Sequence, residues 1–187
     1  IIASVEDGDT RDAVELLGEA RYRILDALVE RDGFAFLAIG RPESQGCYCS
    51  VNTYLREVIS LLSKEFDYVV IDGEAGIVQV NRRVMEKVSH LLLVTDPSRK
   101  GTQVIQTVKG VADELVMYER LGVVVNRMND LSLKDLLDVG DLPIVACIPD
   151  DPNLARFDVQ GRSVMELPGE TAVVKGAASA LRGLGII

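Results

Sequence analysis

Four places in this 187-residue chain carry side chains that could do chemistry. The first is Asp72, which follows the apolar run Val69-Val70-Ile71 and leads into Gly73 and Gly76. An acid at the carboxyl end of a buried strand, followed by a glycine-bearing turn, is placed to hold a metal ion or an attacking water. The same acid could simply cap the next helix, and on this stretch alone both readings stand. The second is Cys47-Tyr48-Cys49. In extended backbone, residues two apart face the same side, so both thiolates could meet one soft metal ion. Two thiolates do not complete a tetrahedral site, but a two-fold dimer would supply four. The alternative is two ordinary small residues, one buried and one exposed. The third and fourth are Asp96 and Asn126, polar residues that close the apolar runs Leu91–Val94 and Val123–Val125. A strand-end Asn can contact a purine edge, because its amide both donates and accepts. Against this, Asp and Asn are common in any turn after a strand.

These residues have to be positioned by the elements around them. Phe66–Ile71, His90–Thr95, Leu121–Val125 and Ile144–Ile148 are apolar without alternation, as expected for strands covered on both faces. A further strand is expected at Phe34–Ile39. Apolar residues recur at helical spacing over Arg11–Arg31, from Ser50 or Asn52 to about Lys64, and over Thr102–Met117. Shorter helices are expected at Val78–Val88, Leu131–Val139, Asn153–Gln160 and Thr171–Leu184. Strands alternating with helices predict a doubly wound α/β fold with a mostly parallel sheet flanked by helices, built as one domain over residues 1–187. In such sheets ligands sit beyond the carboxyl ends of the strands, where Asp72, Asp96 and Asn126 fall.

Composition narrows the function. The chain is 48% hydrophobic and 26% charged, which suits a globular domain. A net charge of −9 argues against broad nucleic-acid binding, which draws on a basic footprint. No apolar run approaches the roughly 20 residues of a membrane span. Three cysteines do not make a secreted disulfide framework, so a cytoplasmic setting is expected. Cys147 lies in an apolar run and reads as a core thiol. His90, the one histidine, leads into another and reads as structural. No GxxxxGKS or GxxxxGKT loop occurs, and no GxGxxG. A phosphate cradle is therefore missing from these residues. Ile1 is not an initiator methionine, and the chain reads as an internal piece of a longer protein.

Three segments taken together resemble the CooC-type ATPases, maturation factors of carbon monoxide dehydrogenase within the MinD-like branch of P-loop NTPases. They are GCYCSVNTYLREVI at Gly46–Ile59, DYVVIDGEAGI at Asp67–Ile77 with NRRV at Asn81–Val84, and HLLLVTDPSRKG at His90–Gly101. VVVNRM at Val123–Met128 and ACIPDD at Ala146–Asp151 continue the match, which runs from Ala38 onward. The resemblance implies an ATP-driven homodimer that takes part in inserting nickel into carbon monoxide dehydrogenase or a related nickel enzyme. It implies that Cys47 and Cys49 bind Ni or Zn across the dimer interface. Asp72 would be the switch acid that senses Mg²⁺ and the γ-phosphate of ATP, with Ala75 and Gly76 forming the switch turn. Asn126 would contact adenine, with Pro149 and Asp150 lining the base pocket. Two departures stand out. The Walker A strand and loop are absent, and Val78-Gln79 replaces the family's frequent Glu-His. An alternative within the same branch is a MinD- or ParA-like switch acting through partner binding, which needs no thiolate pair. A basic membrane tail is not expected, since Gly176–Ile187 carries Arg182 alone. A degenerate scaffold that has lost ATP is the remaining alternative.

Overall fold

The computed structural model describes residues 26–38, 58–73 and 87–187. The chain divides into two compact units, Ile1–Gly73 and Glu74–Ile187.

In the first unit, β1 (Val29–Arg31) and β2 (Phe34–Phe36) form an antiparallel hairpin in which Arg31 faces Phe34. The loop is Asp32-Gly33, with Gly33 at φ +83°. Asp-Gly between two short runs is a strong two-residue hairpin signal. It overrides the helical spacing expected as far as Arg31; residues 26 and 27 are still helical, and residues 11–25 lie outside the described residues. The expected strand at Phe34–Ile39 is present as Phe34–Phe36. Residues 58–65 are helical, as their spacing predicts, and Val58 is buried.

The expected strand at Phe66–Ile71 is not formed. Residues 66–73 pair with no strand among the described residues, and Val70 is 93% exposed. An apolar run becomes a strand only when a neighbour takes up its main-chain N–H and C=O groups. The run itself does not name that neighbour.

The second unit carries a three-stranded parallel sheet in the order β3 (Lys87–Thr95), β4 (Met117–Asn126), β5 (Ile144–Ile148). Lys87 and Val88, expected to end a helix, instead open β3; residues 78–86 lie outside the described residues. Between β3 and β4 runs α1 (Arg99–Leu115), capped by the Ser98 hydroxyl, which accepts from Gly101 N at 3.0 Å. Between β4 and β5 the expected helix is a short 3-10 turn, Leu131–Leu136. After β5 come α2 (Pro152–Val159), a 3-10 turn at Val164–Glu166, and α3 (Ala172–Leu184).

Both faces of β4 are buried, which explains its unbroken apolar run. Val123 and Val125 point to one side, where Ile105 of α1, Leu93, Met128 and Val139 complete a core. Val124 points to the other, against Ala146, Ile148 and Ala180 of α3. Both crossovers, β3 to β4 and β4 to β5, cover the same face. Two parallel connections of the same hand that step the same way along a sheet must do so. The final helix covers the opposite face, so the sheet is sandwiched and the doubly wound reading holds for this unit.

Helix α3 lies very close to the sheet. A β-carbon on Gly176 would fall 2.5 Å from Ile148 Cγ1, and one on Gly183 would fall 2.8 Å from Val145 Cβ. On the sheet side, a β-carbon on Gly122 would meet Val145 Cγ1 at 2.9 Å. Val145 is the residue skipped where the β4–β5 pairing shifts register after Val123, and its side chain fits between the two glycines. The helix ends at Gly185, left-handed at φ +71°, with Ile186 N donating to Leu181 O at 2.9 Å. Arg120 of β4 donates to the Leu184 carbonyl at 2.7 Å, which ties this last turn to the sheet.

Candidate functional site

Because β3, β4 and β5 are parallel, their carboxyl ends share one edge. Thr95 is level with Val125, and Asn126 with Ile148. Asp96, Asn126 and the Pro149-Asp150 pair therefore leave the sheet side by side.

The first corner is the turn from β3 into α1. Ser98 N donates to Asp96 Oδ1 at 2.9 Å, and the Ser98 hydroxyl donates to the same oxygen. These two donors hold the Asp96 carboxyl below the usual carboxylate range, with the Arg127 charge adding to the effect. The turn is tight: a β-carbon at Gly101 would fall 2.5 Å from both Asp96 Oδ1 and Thr95 Oγ1. Only a residue without a side chain fits there.

The second corner follows β4. Asn126 Oδ1 accepts from Arg127 N at 3.0 Å, which commits the amide oxygen and leaves Nδ2 without a partner among the described residues. Arg127 sits at φ +59°, the one non-glycine residue described with positive φ, a conformation that costs a β-carbon-bearing residue roughly 1–2 kcal/mol. The turn it makes carries Met128 straight into the core, where Met128 is 1% exposed and its N–H donates to Ile148 O at 2.9 Å.

The third corner follows β5, and here neighbouring acids do different work. Asp150 is exposed and bonded twice to Asn129. Asn129 Nδ2 donates to Asp150 Oδ2 at 2.7 Å, and Asp150 N donates to Asn129 Oδ1 at 2.9 Å. Asp151 is buried, and its two oxygens serve two helices. Oδ1 accepts from Asn153 N at 2.9 Å and Leu154 N at 3.4 Å, at the start of α2. Oδ2 accepts from Val173 N at 3.1 Å, at the start of α3. Thr171, at the cap position of α3, makes no side-chain cap bond, and Asp151 substitutes for it. The Val173 N–H, with those of Asn153, Leu154 and Ala172, holds the Asp151 carboxyl below its ordinary range against the opposing effect of burial.

Of the residues singled out from the sequence, Asp96, Asn126, Pro149 and Asp150 are brought to this edge. Asp72 lies in the first unit, exposed, in the unpaired stretch 66–73. Ala75, Gly76, Cys47 and Cys49 lie outside the described residues. Among the described residues no group of three or more His, Cys, Asp or Glu is set to hold a metal ion. Cys147 is half-buried against the Val123–Val125 core, and burial pushes its thiol up, so it is a packing residue. His90 is half-buried on β3 and hydrogen-bonds Ser89 Oγ through Nδ1. No helix among the described residues is long and apolar enough to cross a membrane.

Asn129 and Asp151 were missed in the sequence. The signal for Asn129 was its place three residues after a strand-end Asn. The signal for Asp151 was an acid directly before Pro152, since Asp followed by Pro is a common helix start.

The edge presents an amide N–H at Asn126 as a donor and the exposed Asp150 carboxylate as an acceptor. Comparison with known proteins agrees with the fold that carries it. An uncharacterised ATP-binding protein of Methanocaldococcus jannaschii is 35% identical over 161 residues, which are 83% of this chain and 63% of that protein. The septum site-determining protein MinD of Bacillus subtilis is 23% identical over 195 residues, 99% of this chain and 72% of its own length. The carbon monoxide dehydrogenase accessory protein CooC of Rhodospirillum rubrum is 26% identical over 143 residues, 74% of this chain and 54% of its own length. Among solved structures, MinD of Pyrococcus horikoshii in complex with Mg-ADP superposes with a TM-score of 0.63 at 20% identity. The match covers 84% of this chain and 66% of that one. No family model matches the chain.

The chain shares its fold with the MinD structures and is similar in sequence to the Methanocaldococcus jannaschii ATP-binding protein and to MinD. It spans about three fifths of the length of the three Methanocaldococcus jannaschii relatives it matches.

Proposed function

We propose that the chain is the base-binding and switching part of an ATP-driven two-state switch of the MinD/ParA kind, working as a homodimer. One observation carries this reading: a donor at Asn126 and an acceptor at Asp150 lie on the ligand-binding edge of a MinD-like sheet. Asn126 would donate to a ring nitrogen of adenine, Asp150 would accept from its amino group, and Pro149 would line the pocket. Asp72 would sense Mg²⁺ and the γ-phosphate, with Ala75 and Gly76 as the turn that moves. ATP biases a dimer equilibrium only by binding its two states differently, and the Asp72–Gly76 turn is where that difference would arise.

The test is ATP binding and hydrolysis by the full-length protein, with its mass followed by light scattering. We expect ATP to bind and to shift the monomer–dimer balance. Asn126→Ala should weaken ATP about tenfold, the equivalent of one hydrogen bond to the base, about 1.4 kcal/mol. Parental affinity in that variant would remove Asn126 from the site. No ATP binding by the parent would leave the degenerate scaffold.

A finer reading makes nickel the cargo of this switch and carbon monoxide dehydrogenase, or a related nickel enzyme, its client. It is supported by the Cys47-Tyr48-Cys49 spacing and by the similarity to the CooC accessory protein. Calorimetry with Ni²⁺ and Zn²⁺ should then give one metal ion per dimer. Binding should be abolished in Cys47→Ser/Cys49→Ser and altered by ATP. Unchanged binding in the double variant would leave the switch without this cargo.

A further inference from the structure

The geometry points to Asn129 as the residue that keeps guanine from being favoured at this edge, by engaging one oxygen of Asp150 so that the two oxygens no longer face a ligand as an equivalent pair. This rests on the nucleotide-site reading above.

A free carboxylate is an acceptor with two oxygens side by side, and it pairs best with two adjacent N–H groups. Guanine offers such a pair on its Watson–Crick edge, the ring N1–H and the 2-amino group. Adenine offers one amino group beside a ring nitrogen that accepts. The chemistry that would select guanine is therefore an unencumbered Asp or Glu. Here Asp150 is encumbered. Its Oδ2 takes the Asn129 amide proton at 2.7 Å, and Oδ1 has no partner among the described residues. The amide orientation is fixed independently, because Asp150 N–H requires the Asn129 oxygen, at 2.9 Å. The two bonds close a ring between the β4 and β5 loops, which Met128 N to Ile148 O braces from inside. What remains open to a ligand is one acceptor, Asp150 Oδ1, and one donor, Asn126 Nδ2. That pair can meet the amino group and a ring nitrogen of adenine, or the N1–H and O6 of guanine. It leaves the 2-amino group of guanine unread. Asn129 is thus a positioning residue that acts on the ligand through Asp150.

The experiment measures ATP, GTP and ITP affinity of the full-length protein and of Asn129→Ala. ITP is GTP without the 2-amino group. In the parent, GTP and ITP should bind within about twofold of each other. In Asn129→Ala both oxygens of Asp150 become free, and GTP should gain about tenfold over ITP and over ATP, the worth of one added hydrogen bond. Adding Asp150→Asn to that variant should abolish the gain, because an amide presents one accepting oxygen beside a donating N–H₂ group in place of two accepting oxygens. A loop that was merely loosened would weaken all three nucleotides together, and that result overturns the proposal. If Asn129→Ala does not fold, the parent decides: a tenfold preference for GTP over ITP would show that the 2-amino group is already read. Absence of any ATP binding by the parent would instead overturn the nucleotide site itself, and this inference with it.

Discussion

Gly176→Ala should destabilise the protein by about 1–2 kcal/mol, and Gly176→Val by about 3, although both residues normally favour a helix over glycine. The added β-carbon would fall 2.5 Å from Ile148 Cγ1, 2.8 Å from Cδ1 and 3.1 Å from Cγ2. Real carbons do not approach so closely, so α3 or Ile148 must move. Ile148 is buried, packs with Val124, Ala146 and Ala180, and is branched at Cβ, so it has few rotamers to retreat into. Two comparisons separate this crowding from helix propensity. Gly110, exposed in α1, has no atom within 4 Å of its built β-carbon, and Gly110→Ala should stabilise by about 0.5–1 kcal/mol. In an Ile148→Ala background the three crowding atoms are gone, and Gly176→Ala should cost little or nothing. The coupling between the two sites would then be of order 1 kcal/mol or more. Urea denaturation of the four proteins measures it. A neutral Gly176→Ala in the parent background would mean that the helix rides higher on the sheet than described.

That contact was not legible in the sequence, and the reason is instructive. Gly176 lies in a helical run rich in small residues, and a glycine there reads as a weak spot. Its fit depends on Ile148, 28 positions earlier, on a strand whose facing side only the fold decides. What was legible is what depends on a single element: the apolar run of β4 and the polar residues closing the strands. The limits of that signal appear in a pair of runs. Val69-Val70-Ile71 and Leu91–Val94 are both unbroken apolar runs, yet only the second lies in a ladder among the described residues, with β4 as its partner. Asp150 and Asp151 give a second pair. Identical and adjacent, they leave the strand on opposite sides. One is exposed and held by Asn129, while the other is buried and caps two helices. The candidate site was therefore legible as an edge with polar residues on it. The partner of each carboxylate was not.

Asp151→Ala should lower the melting temperature at pH 7 by about 5 °C or more, because the substitution removes the N-terminal cap of two helices at once. Asn153, Leu154 and Val173 would each lose an acceptor in a part-buried corner. The effect should depend on pH in a definite direction. Val173 N–H and the other main-chain donors hold the folded carboxyl below its unfolded value, so folding favours the ionised form. Its contribution is fully present above the unfolded carboxylate range, near pH 4, and is lost as pH falls through the depressed folded value. The melting difference between parent and Asp151→Ala should accordingly be constant from pH 7 to about 5 and shrink below pH 4. Asp151→Asn supplies the control. It keeps one acceptor oxygen but turns an N–H₂ group toward the donors of one helix, so it should lose stability at neutral pH and show a flatter pH dependence than the parent. A difference between parent and Asp151→Ala that stayed the same down to pH 3 would mean that shape and packing, rather than the charge facing two helix ends, hold this corner. The Asp150 loop would then owe its position to Asn129 and Met128 alone.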